Sequence, residues 1–222
     1  MSDRQSFFES VYRGNLWDSA ESRSGQGSEL AYTATLRAEL PVLLKQLGVS
    51  SMLDLPCGDF NWMEHVDLSG IQYVGADIVP EIVSANQARF GNAQRRFIRV
   101  DVVEDTLPEV DLIFCRDCLI HFTYELIGRA LKTMLASKAR YLLLTHDNTL
   151  IRYESNGGKN ADLQSLENGV NYMYRPINFT LPPFSFPPPE HVINEGLWDG
   201  YKTMALWRTD DLRQVMQQVR AG

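Results

Sequence analysis

Short, almost entirely apolar runs alternate with helix-like stretches between residues 50 and 145. These runs lack the polar alternation of a half-exposed strand, which indicates strands buried on both faces. Buried strands separated by helices predict a parallel sheet that is covered by helices on both sides. The predicted strands are Met52–Leu55, Ile71–Ile78, Phe97–Val103, Val110–Cys115 and Tyr141–Thr145.

Helical periodicity marks the segments around these strands. Apolar residues recur at helical spacing from about Glu29 to Leu47, where Pro41 should break or kink the helix and Gly48 should end it. Pro80 suits the first turn of a helix after the second strand, and Thr123–Leu135 has a helical pattern.

The regular order stops after His146 and returns near residue 191. Residues 148–190 are polar and rich in asparagine, glycine and proline, which is typical of a lid, a binding loop or a disordered segment. Two strand-like runs, His191–Asn194 and Tyr201–Trp207, follow this segment. Because sheet-like sequence returns, we interpret 148–190 as an insertion.

The chain length favours a single domain. A chain of 222 residues buries roughly 70% of its unfolded surface, enough for one core. We therefore expect residues 1–222 to form one domain, in which Asp210 caps a last helix that ends near Val219.

Charge and cysteine content narrow the functional classes. The balance of 21 basic against 28 acidic residues gives 21 − 28 = −7, which argues against a nucleic-acid surface. No run reaches the roughly 18 apolar residues of a membrane helix, and the N-terminus lacks a signal peptide. Three cysteines are not a disulfide framework, so we expect a cytoplasmic protein.

Four aspartates lie where the first four predicted strands end. They are separated by 23, 24 and 16 residues, and ligands of open α/β sheets bind beyond these strand ends. We therefore expect the four carboxylates to converge on one crevice, although each alone is also compatible with a helix cap or a solvated loop. The four residues are Asp54, Asp77, Asp101 and Asp117.

The loop after the first strand is Pro56-Cys57-Gly58-Asp59. Its backbone could approach a ligand at Gly58, but it has neither the repeated glycines of a dinucleotide site nor the lysine of a P-loop. Asp77, at the end of the second strand, could accept both hydroxyls of a ribose. The pattern favours an adenosine-type ligand without phosphates.

These features resemble the class I S-adenosylmethionine-dependent methyltransferases, from about Gln26 to Thr145 and again in the closing strand. The family's first motif is acidic-x-Gly-x-Gly-x-Gly; here the first acid, Asp54, and the middle glycine, Gly58, are present and the flanking glycines are replaced. The resemblance implies a Rossmann-like α/β fold with a mostly parallel seven-stranded sheet, an antiparallel last strand and helices on both faces.

The resemblance also implies S-adenosyl-L-methionine as the cofactor. Asp77 would hold its ribose, Asp101 with Val102 would border the adenine, and Arg116 and Asp117 would lie beside the methionine portion. Residues 1–28 would cover the cofactor. The candidate cofactor-binding residues are Arg23, Asp54, Pro56, Gly58, Asp59, Asp77, Ile78, Asp101, Val102 and Arg116.

Two histidines are candidate bases. His121 follows the fourth strand and His146 follows the fifth, and a histidine of near-neutral pKa could take a proton from a substrate hydroxyl or ammonium. With Asp117 they form the candidate catalytic set, although either histidine could instead be structural. The candidate substrate-binding residues are Trp17, Asn148, Tyr172 and Arg175.

The sequence thus predicts methyl transfer to O or N of a small polar acceptor. Two alternatives remain: another α/β nucleotide enzyme such as a nicotinamide-dependent reductase, and a non-catalytic cofactor-binding or partner protein. Cys115 and Cys118 have CxxC spacing, but no second cysteine pair completes a zinc site, so we expect no metal.

Overall fold

The computed structural model describes residues 3–196 and 200–218. The strands are β1 (Ser51–Asp54), β2 (Gln72–Asp77), β3 (Arg95–Arg99), β4 (Leu112–Cys115), β5 (Tyr141–Asp147), β6 (His191–Asn194) and β7 (Lys202–Arg208). The helices are α1 (Asp3–Gly14), α2 (Ala34–Gln46), α3 (Pro80–Phe90), α4 (Tyr124–Ala136) and α5 (Thr209–Gln218). None of the helices in the described ranges is long and apolar enough to cross a membrane.

The seven strands form one sheet in the order β3-β2-β1-β4-β5-β7-β6. Strands β1 to β5 pair in parallel, whereas β7 is antiparallel to both of its neighbours, β5 and β6. This confirms the predicted seven-stranded, mostly parallel sheet with an antiparallel last strand.

Successive side chains of the central strands point to opposite faces of the sheet, and each face carries its own core. One core contains Leu53, Ile113 and Leu142 with Val11 of α1, Ile127 of α4 and Leu212 of α5. The other contains Met52, Leu112 and Leu143 with Leu36 and Leu40 of α2. Helices therefore cover both faces, as predicted.

Helix α2 runs through Pro41 instead of ending there. It ends as expected at Gly48, whose φ of 59° is in the left-handed region that glycine adopts without strain. The N–H of Gly48 bonds to Lys45 O and that of Val49 bonds to Leu44 O, which together form a Schellman motif.

Two predicted boundaries are wrong in ways that matter for the site. Strand β3 ends at Arg99, so Asp101 lies in the following turn, where its carbonyl accepts the N–H groups of Glu104 and Asp105. Strand β5 continues to Asp147, because pairing with β7 extends through Asp147 and Lys202.

The last helix begins at Thr209, so Asp210 lies in its first turn and is not the N-cap. The Thr209 hydroxyl donates to Ala139 O and ties the start of α5 to the chain between α4 and β5. Val219, the predicted end of this helix, lies outside the described residues.

The segment 148–190 packs against the sheet through apolar side chains. Phe179 and Phe186 stack on each other, and both rings pack edge-to-face with Trp207 in β7. The buried Asn160 side chain donates to three carbonyls of the same segment, those of Asn178, Leu181 and Pro182. Much of the segment is therefore fixed by packing and internal hydrogen bonds.

Candidate active site

A cavity of about 890 Å³ lies at the carboxyl ends of the parallel strands. Its volume is in the range of small-molecule sites. Helix α1, residues 23–28 and residues 172–174 complete its walls. The four strand-end aspartates all line it, namely Asp54, Asp77, Asp101 and Asp117.

The Asp77 carboxylate is oriented by the backbone around it. Its Oδ2 accepts the N–H of Gly58 at 3.2 Å and its Oδ1 accepts the N–H of Val79 at 2.9 Å. Burial raises the pKa of Asp77 to about 6 even though these bonds favour the carboxylate. At neutral pH it is a fixed, ionised acceptor.

Gly58 cannot carry a side chain here. Its φ is 53°, and a Cβ would lie 2.2 Å from Ser24 Oγ. The loop after β1 therefore packs directly against the N-terminal segment, and the Asp59 N–H donates to Ser24 Oγ at 2.9 Å.

Asp54 is buried at the end of β1. The Tyr73 hydroxyl donates to its Oδ2 at 2.6 Å. Burial raises its pKa to about 7, so the protonated and ionised forms coexist near neutrality.

Asp101 is held by a helix that the sequence analysis did not identify. Arg4 of α1 donates to Asp101 Oδ2 at 2.8 Å, and the N–H of Val103 donates to Oδ1 at 3.0 Å. Phe8 and Tyr12 of the same helix line the cavity. Phe7 and Val11, four residues apart and both buried, were the available helical signal.

Asp59 fixes the N-terminal segment. Its carboxylate accepts the Ser22 hydroxyl at 2.9 Å, the N–H of Arg23 at 2.7 Å and the Ser24 hydroxyl at 3.2 Å. Farther along, Arg116 donates to Gly27 O at 2.9 Å. The segment that carries Arg23 is therefore tied to the ends of β1 and β4.

Two ion pairs lie at the floor of the cavity near β4. Arg116 contacts Glu195 at 2.6 Å, and Lys202 contacts Asp117 at 2.6 Å. Burial alone would raise the pKa of Asp117, but Lys202 and Arg116 outweigh it and hold that pKa well below its usual range. Asp117 is thus a permanent carboxylate and a poor proton acceptor.

His121 lines the cavity with a defined tautomer. Its Nδ1 lies 3.0 Å from Asn171 O and 3.2 Å from Met173 O, so Nδ1 carries the proton and donates it. Burial lowers the pKa of His121, against the opposing charge of Asp117. The neutral ring leaves Nε2 as an acceptor with no protein hydrogen-bond partner among the described residues.

Three predicted site residues do not line the cavity. The side chain of His146, within β5, is buried beside Trp207, where Nδ1 accepts the N–H of Phe179 at 3.2 Å and burial lowers its pKa to about 4. The Asn148 side chain is exposed. Arg175 is buried and joins two loops, because its guanidinium donates to the carbonyls of Ala161 and Phe122. These three residues therefore lie outside the cavity that the strand-end aspartates line.

The other predicted residues lie at the cavity, and some lining residues were missed. Trp17 and Tyr172 line it, and Trp17 Nε1 donates to Tyr172 O at 2.9 Å, which joins the N-terminal segment to 148–190. The remaining predicted cofactor residues also line it: Arg23, Pro56, Gly58, Asp59, Ile78, Val102 and Arg116. Asp147, Arg152 and Lys202 were not predicted; a lysine at the start of an apolar strand was the available signal.

Comparison of the sequence with protein-family models returns no match, and comparison with curated proteins returns none either. Among solved structures, human N-acetylserotonin methyltransferase in complex with S-adenosylmethionine aligns with a TM-score of 0.59 at 17% identity, over 90% of this chain and 58% of that one. The chain thus spans less than two thirds of the human enzyme.

Two further solved structures align over most of both chains. The PH0226 protein from Pyrococcus horikoshii has a TM-score of 0.55 at 14% identity, over 94% of this chain and 99% of that one. The N-methyltransferase NodS from Bradyrhizobium japonicum has a TM-score of 0.54 at 15% identity, over 80% and 96%. The strand order, the antiparallel β7 and these alignments show that the chain has the fold of the class I S-adenosylmethionine-dependent methyltransferases.

Proposed function

We propose that this protein transfers a methyl group from S-adenosyl-L-methionine to O or N of a small polar acceptor. The observation that carries the proposal is the Asp77 carboxylate, which two backbone N–H groups orient at the end of β2 beside the Gly58 turn. An ionised, oriented carboxylate at this place suits the two hydroxyls of a ribose.

The donor set fits the proposed cofactor. We assign Asp77 and Ile78 to its ribose, Asp101 and Val102 to its adenine, and the residues after β1 with Arg23 to its methionine portion. The cavity walls hold six carboxylates, from Asp54, Asp59, Asp77, Asp101, Asp117 and Asp147, and four cations, from Arg23, Arg116, Arg152 and Lys202. This excess of negative charge suits a sulfonium cation.

When bound, S-adenosylmethionine supplies an activated methyl group. The protein then has to position the acceptor and exclude water. His121 Nε2 would take the proton that the acceptor loses, while the ion pair of Asp117 and Lys202 would hold the floor of the site. Trp17 and Tyr172 would form the wall over the acceptor.

The two covering segments belong to the same proposal. We assign residues 1–28 to a cofactor cover and 148–190 to a substrate lid within one domain. The hydrogen bond from Trp17 to Tyr172 O supports a shared cover, because it joins the two segments at the cavity. The net charge of −7 supports a small-molecule acceptor rather than a nucleic acid, and we also propose a cytoplasmic location.

Transfer of labelled methyl tests this function. The protein is incubated with methyl-labelled S-adenosylmethionine and fractionated small molecules from the source cell, and labelled products are identified. We expect a labelled small molecule with the wild type and with Asp67→Asn, a control in an exposed turn. We expect much less label with Asp77→Asn when S-adenosylmethionine is kept near the wild-type Kd. Equal label with Asp77→Asn would contradict the assignment of that carboxylate.

A further inference from the structure

The cavity has a second half that the proposed cofactor residues, apart from Arg116, do not occupy. Strand order places the ends of β4, β5 and β7 side by side, away from the β1–β2–β3 half. Asp117 follows β4, Asp147 ends β5 and Lys202 begins β7, and all three line the cavity with Arg152. An acceptor would lie in this half.

Charge in this half is balanced within ion pairs, two of which are linked, because Arg116 also lies 3.3 Å from Asp117 and Lys202 lies 3.7 Å from Glu195. Lys202 lies 2.6 Å from Asp117, Arg152 lies 3.2 Å from Asp147, and Arg116 lies 2.6 Å from the buried Glu195. An ammonium or carboxylate acceptor would therefore have to break a pair and leave a charge uncompensated, which is costly in a buried site. A neutral molecule with several hydroxyls could use the donors and acceptors without disturbing the pairs.

His121 supplies the base that methylation of a hydroxyl needs. A hydroxyl that becomes an ether must lose its proton, and Nε2 of a neutral imidazole can take it. The two carbonyls on Nδ1 keep the ring in the tautomer that this step needs. In the balanced step, the O–H bond breaks toward Nε2, the O–CH₃ bond forms and the S–CH₃ bond breaks, which gives S-adenosylhomocysteine.

The mouth of the cavity is apolar. Three of its lining residues are large apolar side chains that remain well exposed: Leu16 at 48%, Met173 at 57% and Tyr174 at 50%. Ile151 and Tyr201, which are also exposed, adjoin the lining residues Arg152 and Lys202 in the sequence. Exposed apolar groups collected around a site mark a surface that binding covers.

We propose that the acceptor is a neutral glycoside, with the polyhydroxylated ring among the ion pairs and an apolar aglycone against the mouth, and that a ring hydroxyl is methylated. This inference rests on the proposed function and deepens it. It follows from one juxtaposition, namely paired charges and a neutral imidazole on the inside and apolar side chains at the mouth.

A panel of acceptors tests the inference with methyl-labelled S-adenosylmethionine. The probes are 4-nitrophenyl glycosides of neutral hexoses and pentoses, the same free sugars, and 4-nitrophenyl glycosides of amino sugars and uronic acids. Binding of S-adenosylhomocysteine to the wild type is measured first by calorimetry. If the wild type does not bind it, the proposed function itself is overturned.

We expect O-methylation of at least one neutral nitrophenyl glycoside, with kcat/KM at least tenfold higher than for the free sugar or for either charged glycoside. If S-adenosylhomocysteine binds, three results would overturn the inference and leave the proposed function standing: methylation of nitrogen, preference for a charged acceptor, or no transfer to any neutral glycoside.

A matched pair of variants tests the role of paired charge. Arg152→Gln removes the cation that lies 3.2 Å from Asp147, so we expect about a tenfold rise in KM for the neutral glycoside, improved use of the amino-sugar glycoside and unchanged affinity for S-adenosylhomocysteine. Arg208→Gln removes an exposed arginine that pairs with Glu190 at the opposite end of β7, and should change none of these. An unchanged preference in Arg152→Gln would contradict the inference.

Discussion

At the scale of single residues, the cavity contains buried aspartates whose ionised forms cost folding free energy. Asp54 and Asp77 are almost fully buried, and burial raises their pKa values to about 7 and about 6. Folding therefore favours their protonated forms relative to the unfolded chain. Such positions destabilise the free protein at neutral pH and are typical of functional sites.

The pH dependence of stability provides one prediction. The unfolded pKa of Asp54 is near 4 and its folded pKa is about 7, so between these values the folded state binds more protons, and the contribution of Asp54 to stability falls as pH rises. Relative to wild type, Asp54→Asn should gain on the order of 3 kcal/mol of unfolding free energy between pH 4 and pH 8. Tyr73 can still donate to the amide oxygen.

Denaturant unfolding at several pH values measures this difference. Asp67→Asn, in an exposed turn, should run parallel to the wild-type curve between pH 4 and pH 8, because hydrogen bonds from Ser69 lower the pKa of Asp67 and keep it ionised over this range. A difference between Asp54→Asn and wild type that is constant with pH would show that Asp54 is ionised to the same extent in both states.

His121 provides a kinetic prediction. As a general base it should contribute roughly 10²- to 10⁴-fold to the rate, so His121→Gln should lower kcat by that factor without weakening the binding of S-adenosylhomocysteine. The lowered pKa of His121 means that wild-type activity should be lost only in acid, below the usual range of histidine. Steady-state kinetics against pH measure this, with the exposed His65 changed to glutamine as the control. A full rate in His121→Gln would remove it from the mechanism.

At the scale of elements, one carboxylate positions the N-terminal segment over the loop after β1. Asp59 accepts three hydrogen bonds from residues 22–24, so Asp59→Ala should release that segment. We expect faster tryptic cleavage after the exposed Arg23 and about tenfold weaker binding of S-adenosylhomocysteine. Asp67→Ala should change neither. Equal cleavage rates in Asp59→Ala and wild type would show that other contacts hold the segment.

The elements also show what a sequence can reveal. The apolar strands β1, β2, β4 and β5 were predicted because burial on both faces leaves a local pattern. The exact end of β5 and the start of α5 were not predicted, because pairing with β7 and the contact between Thr209 and Ala139 join distant parts of the chain. Helix α1 was missed because most of its surface is polar.

In the candidate site, too, features with a local sequence pattern were predicted and contacts between distant residues were not. Strand-end aspartates and the Gly58 turn are local features, and they identified the cavity. Glu195, Lys202 and the Arg4 contact with Asp101 depend on pairs 79 to 97 residues apart, which no local pattern contains. His146 and Arg175 were misplaced because a polar residue near a strand end or in a loop can equally well turn into the core.

At the scale of the whole molecule, cofactor binding should stabilise both covering segments together. With free S-adenosylhomocysteine at 100 times its Kd, linkage contributes about 2.7 kcal/mol, which raises the Tm of a chain this long by roughly 5–10 °C. Amide exchange should slow in residues 22–28 and also in 171–174, because Trp17 and His121 connect these segments to the site. Protection confined to the first segment would show that the two covers move independently.

Calorimetry with S-adenosylmethionine, S-adenosylhomocysteine and NAD tests the central claim most directly. The wild type should bind the first two with micromolar Kd and should not bind NAD. Asp77→Asn replaces a charged acceptor of two ribose hydrogen bonds with a neutral amide, so its affinity should fall about 100-fold. Binding of NAD, absence of binding by either adenosyl ligand, or unchanged affinity in Asp77→Asn would contradict the assignment of this cavity to S-adenosylmethionine.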